Sequence, residues 1–237
     1  MITCSICGLQ NDELAVLCSS CKSYLQSKVD TLNLFETIWQ LIENPGAAFK
    51  KIVLARHKNY VLVLSCLVGI STAFALFWMM HLGNRFDNLL VLTSAGTMVG
   101  LPLGLLMVLL VSACMCAEIR LLRGKVSLRD SRAVVSYAGI PVVMSLIVIF
   151  PLEIAIFGVD FFGTNPPPMV IDPGVYLALV GFDGLAVLWS ILLLYKGIRV
   201  ASGFKLVRSM AVTGTVILFM TAVFLGLQAV EVLIPER

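Results

Sequence analysis

Apolar residues gather into five long runs along this chain, separated by short polar segments that are mostly basic. Residues 60–82 and 89–117 contain no Asp, Glu, Lys or Arg. Residues 133–152 are equally clean, and the apolar pattern continues to residue 159. Residues 175–195 are interrupted only by Asp183, and residues 209–230 carry no charge. About 20 apolar residues in helical form cross a bilayer's hydrocarbon core. In lipid the backbone must satisfy its own hydrogen bonds, so runs of this length are helices. The ten-residue alternating segments of a membrane β-barrel are absent. The pattern predicts an all-α polytopic membrane protein with five transmembrane helices.

The segment before the first run has a different pattern. Leu32, Leu34, Phe35, Ile38, Trp39, Leu41 and Ile42 recur at near-helical spacing, and Asn44-Pro45-Gly46 ends that helix. Residues 47–58 then mix Phe49, Ile52, Val53 and Leu54 with Lys50, Lys51, Arg56 and Lys58. This second piece reads as a basic amphipathic helix lying on an anionic leaflet or packed under the bundle, and both can hold at once.

Composition agrees with the membrane reading. The chain is 59% hydrophobic and 13% charged, with a mean hydropathy of +0.98, too little polar surface for a soluble domain. Fifteen of the 17 basic residues fall before the first run, between the second and third, or between the fourth and fifth. Only Arg85 and Arg237 fall on the other side. The excess of Lys and Arg on cytoplasmic segments then puts the N-terminus in the cytoplasm and the C-terminus outside. The net charge of +3 is thereby spent on topology and lipid headgroups. No basic stripe interleaved with aromatics suggests nucleic acid as a partner. The first apolar run begins near residue 60, so the first span is expected to serve as its own insertion signal.

The most specific chemistry lies at the N-terminus. Cys4-x2-Cys7 and Cys18-x2-Cys21 are two knuckles separated by ten residues. Four thiolates provide the closed tetrahedral shell of a structural Zn²⁺ site, with no position left for catalysis. Gly8 follows the first knuckle, where the chain turns close to the metal, whereas Lys22 holds the equivalent place in the second. A reducing cytoplasmic side disfavours disulfides. Some 25 residues cannot build a sufficient core, so metal binding would supply much of the folding energy. Cys66, Cys114 and Cys116 lie inside apolar runs and read as small packing residues.

Within the spans, Gly96, Gly100 and Gly104 repeat every four residues and form a candidate helix-packing face, internal or between subunits. Pro102 should kink the same helix, and Tyr137, Gly139 and Pro141 predict another kink near the start of the third span. Ionisable groups inside membranes are functional candidates by default. Glu153, Asp183, Glu231, His81 and Arg85 fall at similar depth toward the outer side. They form either a polar cap or a candidate proton- or cation-linked site, and Asp183 is the one deep enough to demand a partner. Glu118 reads as a headgroup-level pair with Arg120. Residues 159–174, with Pro166-Pro167-Pro168, should form an extended polyproline segment acting as a spacer or docking strip.

No phosphate-binding glycine loop, zinc-protease histidine pair or nucleophile elbow is present, and the two histidines, His57 and His81, are far apart in topology. An enzyme is therefore not expected.

Several stretches together carry a family likeness. Asn44-Pro45-Gly46-Ala47-Ala48-Phe49 precedes the five spans. Residues 121–129, with Gly124 and Lys125, lead into Tyr137-Ala138-Gly139-Ile140-Pro141. The fourth span carries Trp189-Ser190, Leu194 and Gly197 before a short basic loop. In these features the chain resembles the Yip1 domain family over roughly residues 35–234, and residues 1–26 resemble the zinc ribbons that precede many prokaryotic membrane proteins. The resemblance implies a five-helix bundle with a cytoplasmic N-terminus and no established enzymatic activity. Eukaryotic relatives associate with small GTPases and vesicle membranes, and some bacterial ones with ABC exporters and their adaptor subunits. The ribbon makes the prokaryotic inner membrane and the exporter-accessory role the expectation, and the helix surfaces leave a homo-oligomer as the other possible assembly. The expected organisation is a zinc ribbon at 1–26, an amphipathic juxtamembrane segment at 27–59 and the bundle at 60–237. The expected function is that of a non-enzymatic scaffold or accessory subunit. The alternative is a small transporter or channel built around Asp183.

Overall fold

The computed structural model describes residues 1–12, 14–26, 30–86 and 88–233, with the side chains at 227 and 229–233 outside the described set. The chain divides into two compact units, Met1–Asn59 and Tyr60–Arg237.

The first unit opens on a two-stranded antiparallel ribbon, β1 (Ile2–Thr3) and β2 (Gln10–Asn11), with Ile2 opposite Asn11. An isolated bridge pairs Leu17 with Tyr24. Helices α1 (Leu34–Glu43) and α2 (Pro45–Leu54) follow and pack on one another. Asn33 caps α1 by accepting from the Phe35 N–H at 3.1 Å. Asn44 ends α1 and caps α2, accepting from the Ala47 N–H at 3.1 Å. Such caps contribute about 1 kcal/mol each, and Pro45 at the first helical position makes the restart unambiguous. Lys51 pairs with Glu36 at 2.6 Å across the two helices. Ala48, Phe49 and Ile52 of α2 are buried, and the apolar side chains left exposed belong to α1: Phe35, Trp39 and Ile42, spaced along one helix face.

The second unit is the five-span bundle. Its spans are α3 (Val61–Met79), α4 (Leu89–Leu121), α5 (Leu128–Ala138) continuing into α6 (Ile140–Phe157), α8 (Pro173–Ser202) and α9 (Leu206–Leu233). The short α7 (Pro168–Ile171) precedes α8. α3 packs chiefly on α4, α6 on α8, and α5 on both α4 and α8. α4 runs unbroken through Pro102, a place where adjoining helices commonly re-satisfy the freed backbone group in membranes. The third span does break, at Gly139, with Pro141 in the first turn of α6. A side chain at Gly139 would meet Val68 of α3 at 2.5 Å, so the break is also a close packing point. Ser65 and Ser136 share a hydrogen bond at 3.0 Å that ties α3 to α5, a contact contributing roughly 0.6 kcal/mol in membranes.

Aromatic side chains fill one end of the bundle. Phe74 stacks on Phe150 with centroids 4.2 Å apart, and Phe161 meets Phe162 edge-on at 5.2 Å. The Trp78 indole N–H donates to the Tyr176 hydroxyl at 3.2 Å. Phe161 and Phe162 belong to a 3-10 turn, Gly158–Phe162, so the start of the loop expected to be an extended spacer is folded into the core, while Pro166 and Pro167 stay exposed and Pro167 keeps an extended backbone. Thr164 is held by Asn84, whose Oδ1 accepts from the Thr164 N–H at 2.9 Å. Asp172 caps α8 by accepting from the Val175 N–H at 3.1 Å. Burying large aromatic surface anchors the start of this loop.

Candidate metal centre and buried carboxyl pair

Each N-terminal knuckle is a tight turn that aims two sulfurs inward, and the two turns are equivalent hydrogen bond by hydrogen bond. The Gly8 N–H donates to the Cys4 carbonyl at 3.0 Å, and the Lys22 N–H to the Cys18 carbonyl at 3.1 Å. The Cys4 N–H donates to the Leu9 carbonyl and the Cys18 N–H to the Ser23 carbonyl, both at 2.9 Å. Gly8 has φ +70° and Lys22 φ +58°, the left-handed conformation in both turns. Lys22 therefore fills the glycine role at a cost of about 1–2 kcal/mol. Lys22→Gly is expected to stabilise the ribbon by about 1 kcal/mol, measured as increased resistance of residues 1–26 to proteolysis.

The four Sγ atoms lie within 4.8 Å of one another. Cys4 and Cys21 are 3.6 Å apart, and Cys7 and Cys18 are 3.5 Å apart. None is in a disulfide. Tetrahedral coordination with metal–sulfur bonds near 2.3 Å sets sulfurs about 3.8 Å apart, so the spacing suits one metal ion.

Two further residues organise the cluster, and their sequence context did not single them out. The Ser23 hydroxyl lies 3.1 Å from the Cys4 sulfur and 3.0 Å from that of Cys21. Buried Asn11 donates to the Cys18 sulfur at 3.5 Å and to the Leu9 carbonyl at 2.9 Å, and its Oδ1 accepts from the Ser19 N–H at 2.9 Å. It thereby links the two knuckles. The Ser23 hydroxyl, then the Cys7 and Ile6 N–H groups, bring the Cys4 thiol down to about 6. The Cys21 N–H is the main influence lowering Cys18. Although the Leu9 N–H favours its thiolate, Cys7 is pushed up to about 12 by Cys18 and Cys21. Negative charge thus collects at the centre until further ionisation is opposed, a conflict that a bound dication relieves.

Within the bundle the structure brings Glu153 and Asp183 together. Glu153 lies on α6 between Phe150 and Phe157, one turn from each, and is 2% exposed. Asp183 lies on α8 and is half-buried. The two carboxyls act on each other electrostatically. Ser145 of α6 donates to Asp183 Oδ1, whereas Glu153 Oε1 is buried without a hydrogen-bond partner. Side chains lean toward the N-terminus of their own helix. Consecutive spans run in opposite directions, so Glu153 and Asp183 lean toward one another.

The other expected acid-cap residues are placed differently. His81 and Arg85 are exposed at the 3-10 turn after α3, and Glu153 has Asp183, not either of these, as its electrostatic partner. The side chain of Glu231 lies outside the described residues. Glu118 accepts from the Thr215 hydroxyl of α9, correcting the expected pairing with Arg120. Gly96, Gly100 and Gly104 face α3: side chains there would fall on the Phe74 ring, the Ile70 backbone and the backbone of Ser65 and Gly69, respectively. A partner protein would find that face already occupied.

These features define a polytopic helical membrane protein with a cysteine ribbon able to hold a metal ion. The Yip1 domain matches residues 39–227, and the chain belongs to that family. No curated protein sequence and no solved structure matches it.

Proposed function

We propose that this chain is a non-enzymatic scaffold of the prokaryotic inner membrane, an accessory subunit of an ABC-type export assembly. The observation that carries the reading is the uneven use of its helix surfaces. In the most apolar stretch of α3 and of α4, 39% is buried, against 17% in α8. Leu177, Phe182, Leu185, Leu188 and Leu192 of α8 point outward, a surface available to lipid and to neighbouring helices. The Yip1 domain family is not known for enzymes.

The skewed placement of Lys and Arg supports a cytoplasmic N-terminus and an extracytoplasmic C-terminus. In that orientation the ribbon, read as residues 1–26, works at the cytoplasmic face with Zn²⁺ on Cys4, Cys7, Cys18 and Cys21. Thiolate softness and tetrahedral spacing favour zinc among available ions. The juxtamembrane helices lie between ribbon and bundle in the chain, and the exposed Phe35–Trp39–Ile42 face suits a membrane interface.

Affinity purification of the tagged chain from native membranes in mild detergent, with subunit stoichiometry by mass spectrometry, tests this directly. A transport ATPase or its adaptor is expected in stoichiometric amount. Recovery alone or as a homo-oligomer would overturn the accessory role. The second reading, a small transporter or channel around Asp183, draws support from the electrostatic interaction of Asp183 with Glu153. It takes over if the isolated chain carries a pH-dependent flux in liposomes that Asp183→Asn abolishes.

A further inference from the structure

The turn that ends α4 is unusual in the residue it uses. The Gly124 N–H donates to the Ile119 carbonyl at 2.8 Å and the Arg123 N–H to the Arg120 carbonyl at 3.0 Å, the paired bonds of a Schellman cap. The left-handed position of such a cap favours glycine. Here Arg123 holds it, with φ +63°. After α8 the left-handed residue is a glycine, Gly203, with φ +68°. A cation suits the negative end of α4, but Arg120 already serves that end. The glycine of the α4 turn stands one place later and does a different task. A side chain on Gly124 would fall 2.6 Å from the Phe204 ring. The α4–α5 turn and the α8–α9 turn therefore meet at Gly124 and Phe204.

Cations collect around this contact. Arg123 and Lys125 flank Gly124, and Lys205 follows Phe204. The guanidinium carbon of Arg208 stands 5.8 Å from the centre of the Phe204 ring. All four of these basic side chains are exposed. Neither residues 119–129 nor residues 197–214 contain an Asp or Glu. The acids just outside are engaged: Glu118 accepts from the Thr215 hydroxyl, and Asp130 from the Ser127 hydroxyl. Exposed cations gathered without an acid attract an anion. The side chains beside them indicate which kind. Leu121, Leu206, Val207 and Met210 are each more than half exposed on the ends of two membrane spans. A phosphate carried on acyl chains satisfies the cations and the apolar surface together, whereas a free anion leaves the apolar surface unused.

We propose that the junction of these two turns is a binding site for one anionic phospholipid, with Arg123, Lys125, Lys205 and Arg208 receiving its phosphate. A guanidinium can give two parallel hydrogen bonds to phosphate oxygens, and a lysine adds a point charge. Phe204 sets the distance between the turns, and its ring face holds the Arg208 guanidinium. The left-handed conformation of Arg123 is the local strain that the site carries. A lipid seated there bridges the end of α4 to the start of α9.

This inference is independent of the accessory-subunit reading, because the isolated chain suffices to test it. The purified full chain in mild detergent is titrated with phosphatidylglycerol, and bound lipid is counted by native mass spectrometry. One tightly held phosphatidylglycerol per chain is expected, with phosphatidylcholine held much more weakly. Arg123→Gly removes a cation and relaxes the turn. It is expected to bind about fivefold more weakly, while its melting temperature without lipid stays level or rises. Arg208→Gln should weaken binding to a similar degree from the other turn. Lys196→Gln, exposed on α8 outside the cluster, should bind like the wild type. Equal weakening by Lys196→Gln would mean diffuse attraction to the leaflet and overturn the site. So would equal retention of phosphatidylcholine, or unchanged binding in both arginine variants. Displacement of phosphatidylglycerol by inorganic phosphate at matched ionic strength would make a free anion the ligand and also overturn it. Should Arg123→Gly lower the melting temperature, Arg208→Gln decides: weakened binding supports the site and unchanged binding refutes it.

Discussion

Cys18→Ser, or stripping the metal with a strong chelator, is expected to unfold the N-terminal ribbon and leave the five spans folded in the membrane. Cys18 is fully buried beneath the cluster, and its loss removes one of four thiolates together with the acceptor of the Asn11 amide. The ribbon's regular structure amounts to two short strands and one bridge, so no apolar core remains to hold it. Structural zinc provides about 10–16 kcal/mol of apparent binding energy at neutral pH, far more than so small a segment can replace. Elemental analysis is expected to find one zinc ion per wild-type chain and substantially less in Cys18→Ser. Limited proteolysis should then cut within residues 1–26 of the variant while α3 to α9 remain protected in detergent. A metal-free wild type with an intact ribbon would refute the assignment, and release of the whole protein from the membrane would refute the independence of the bundle.

Gly104→Leu should do the reverse and destroy the bundle. α3 and α4 cross so closely that a Cβ at Gly104 would overlap the Ser65 carbonyl oxygen and the Gly69 backbone. Backbone cannot swing aside as a flexible side chain can. The helices must separate, which gives up the contacts of Gly69 and Gly100 and strains the Ser65–Ser136 hydrogen bond. Overpacking costs about 1–3 kcal/mol where neighbours can shift and more where they cannot. A loss of at least about 3 kcal/mol is expected here, seen as aggregation on size-exclusion chromatography or a greatly lowered melting temperature in detergent. Gly214→Ala on α9 is the control, because open space surrounds that position. It should be neutral or stabilising by up to about 1 kcal/mol through helix propensity. Equal damage from both substitutions would show that the close crossing is not what holds the bundle.

The glycine repeat, the cysteine knuckles and the five spans share a property that made them readable from the chain alone. Each is a local pattern whose meaning follows from spacing. A run of about twenty apolar residues reads as a membrane helix, and Cys-x2-Cys places two sulfurs on one turn. Asn44-Pro45-Gly46 separates α1 from α2 because capping and proline chemistry act over three or four residues. Small side chains every fourth residue in α4 likewise announce a close approach, though not by what.

Which face meets which neighbour was a different matter. α4 and α8 are apolar all round, so their sequences carry no stripe that sets rotation about the axis. Only the packed bundle turned the α4 glycines toward α3, gave Glu118 to Thr215, and joined Asp183 to Ser145 within electrostatic reach of Glu153 while leaving His81 and Arg85 at an exposed turn. The same holds for the first unit. α1 and α2 are both amphipathic, and the buried set on α2 became clear only in the folded chain. The start of the proline loop was drawn into the core by its two buried phenylalanines, while Pro166 and Pro167 stayed exposed. Lys22 adopted a glycine's conformation because closure of the knuckle outweighs its steric cost. The chain's own residues thus determined its class, its spans and its four clustered cysteines. Contacts between residues far apart in sequence, where burial and charge are summed over several helices, decided which acids pair and which helix faces remain outside.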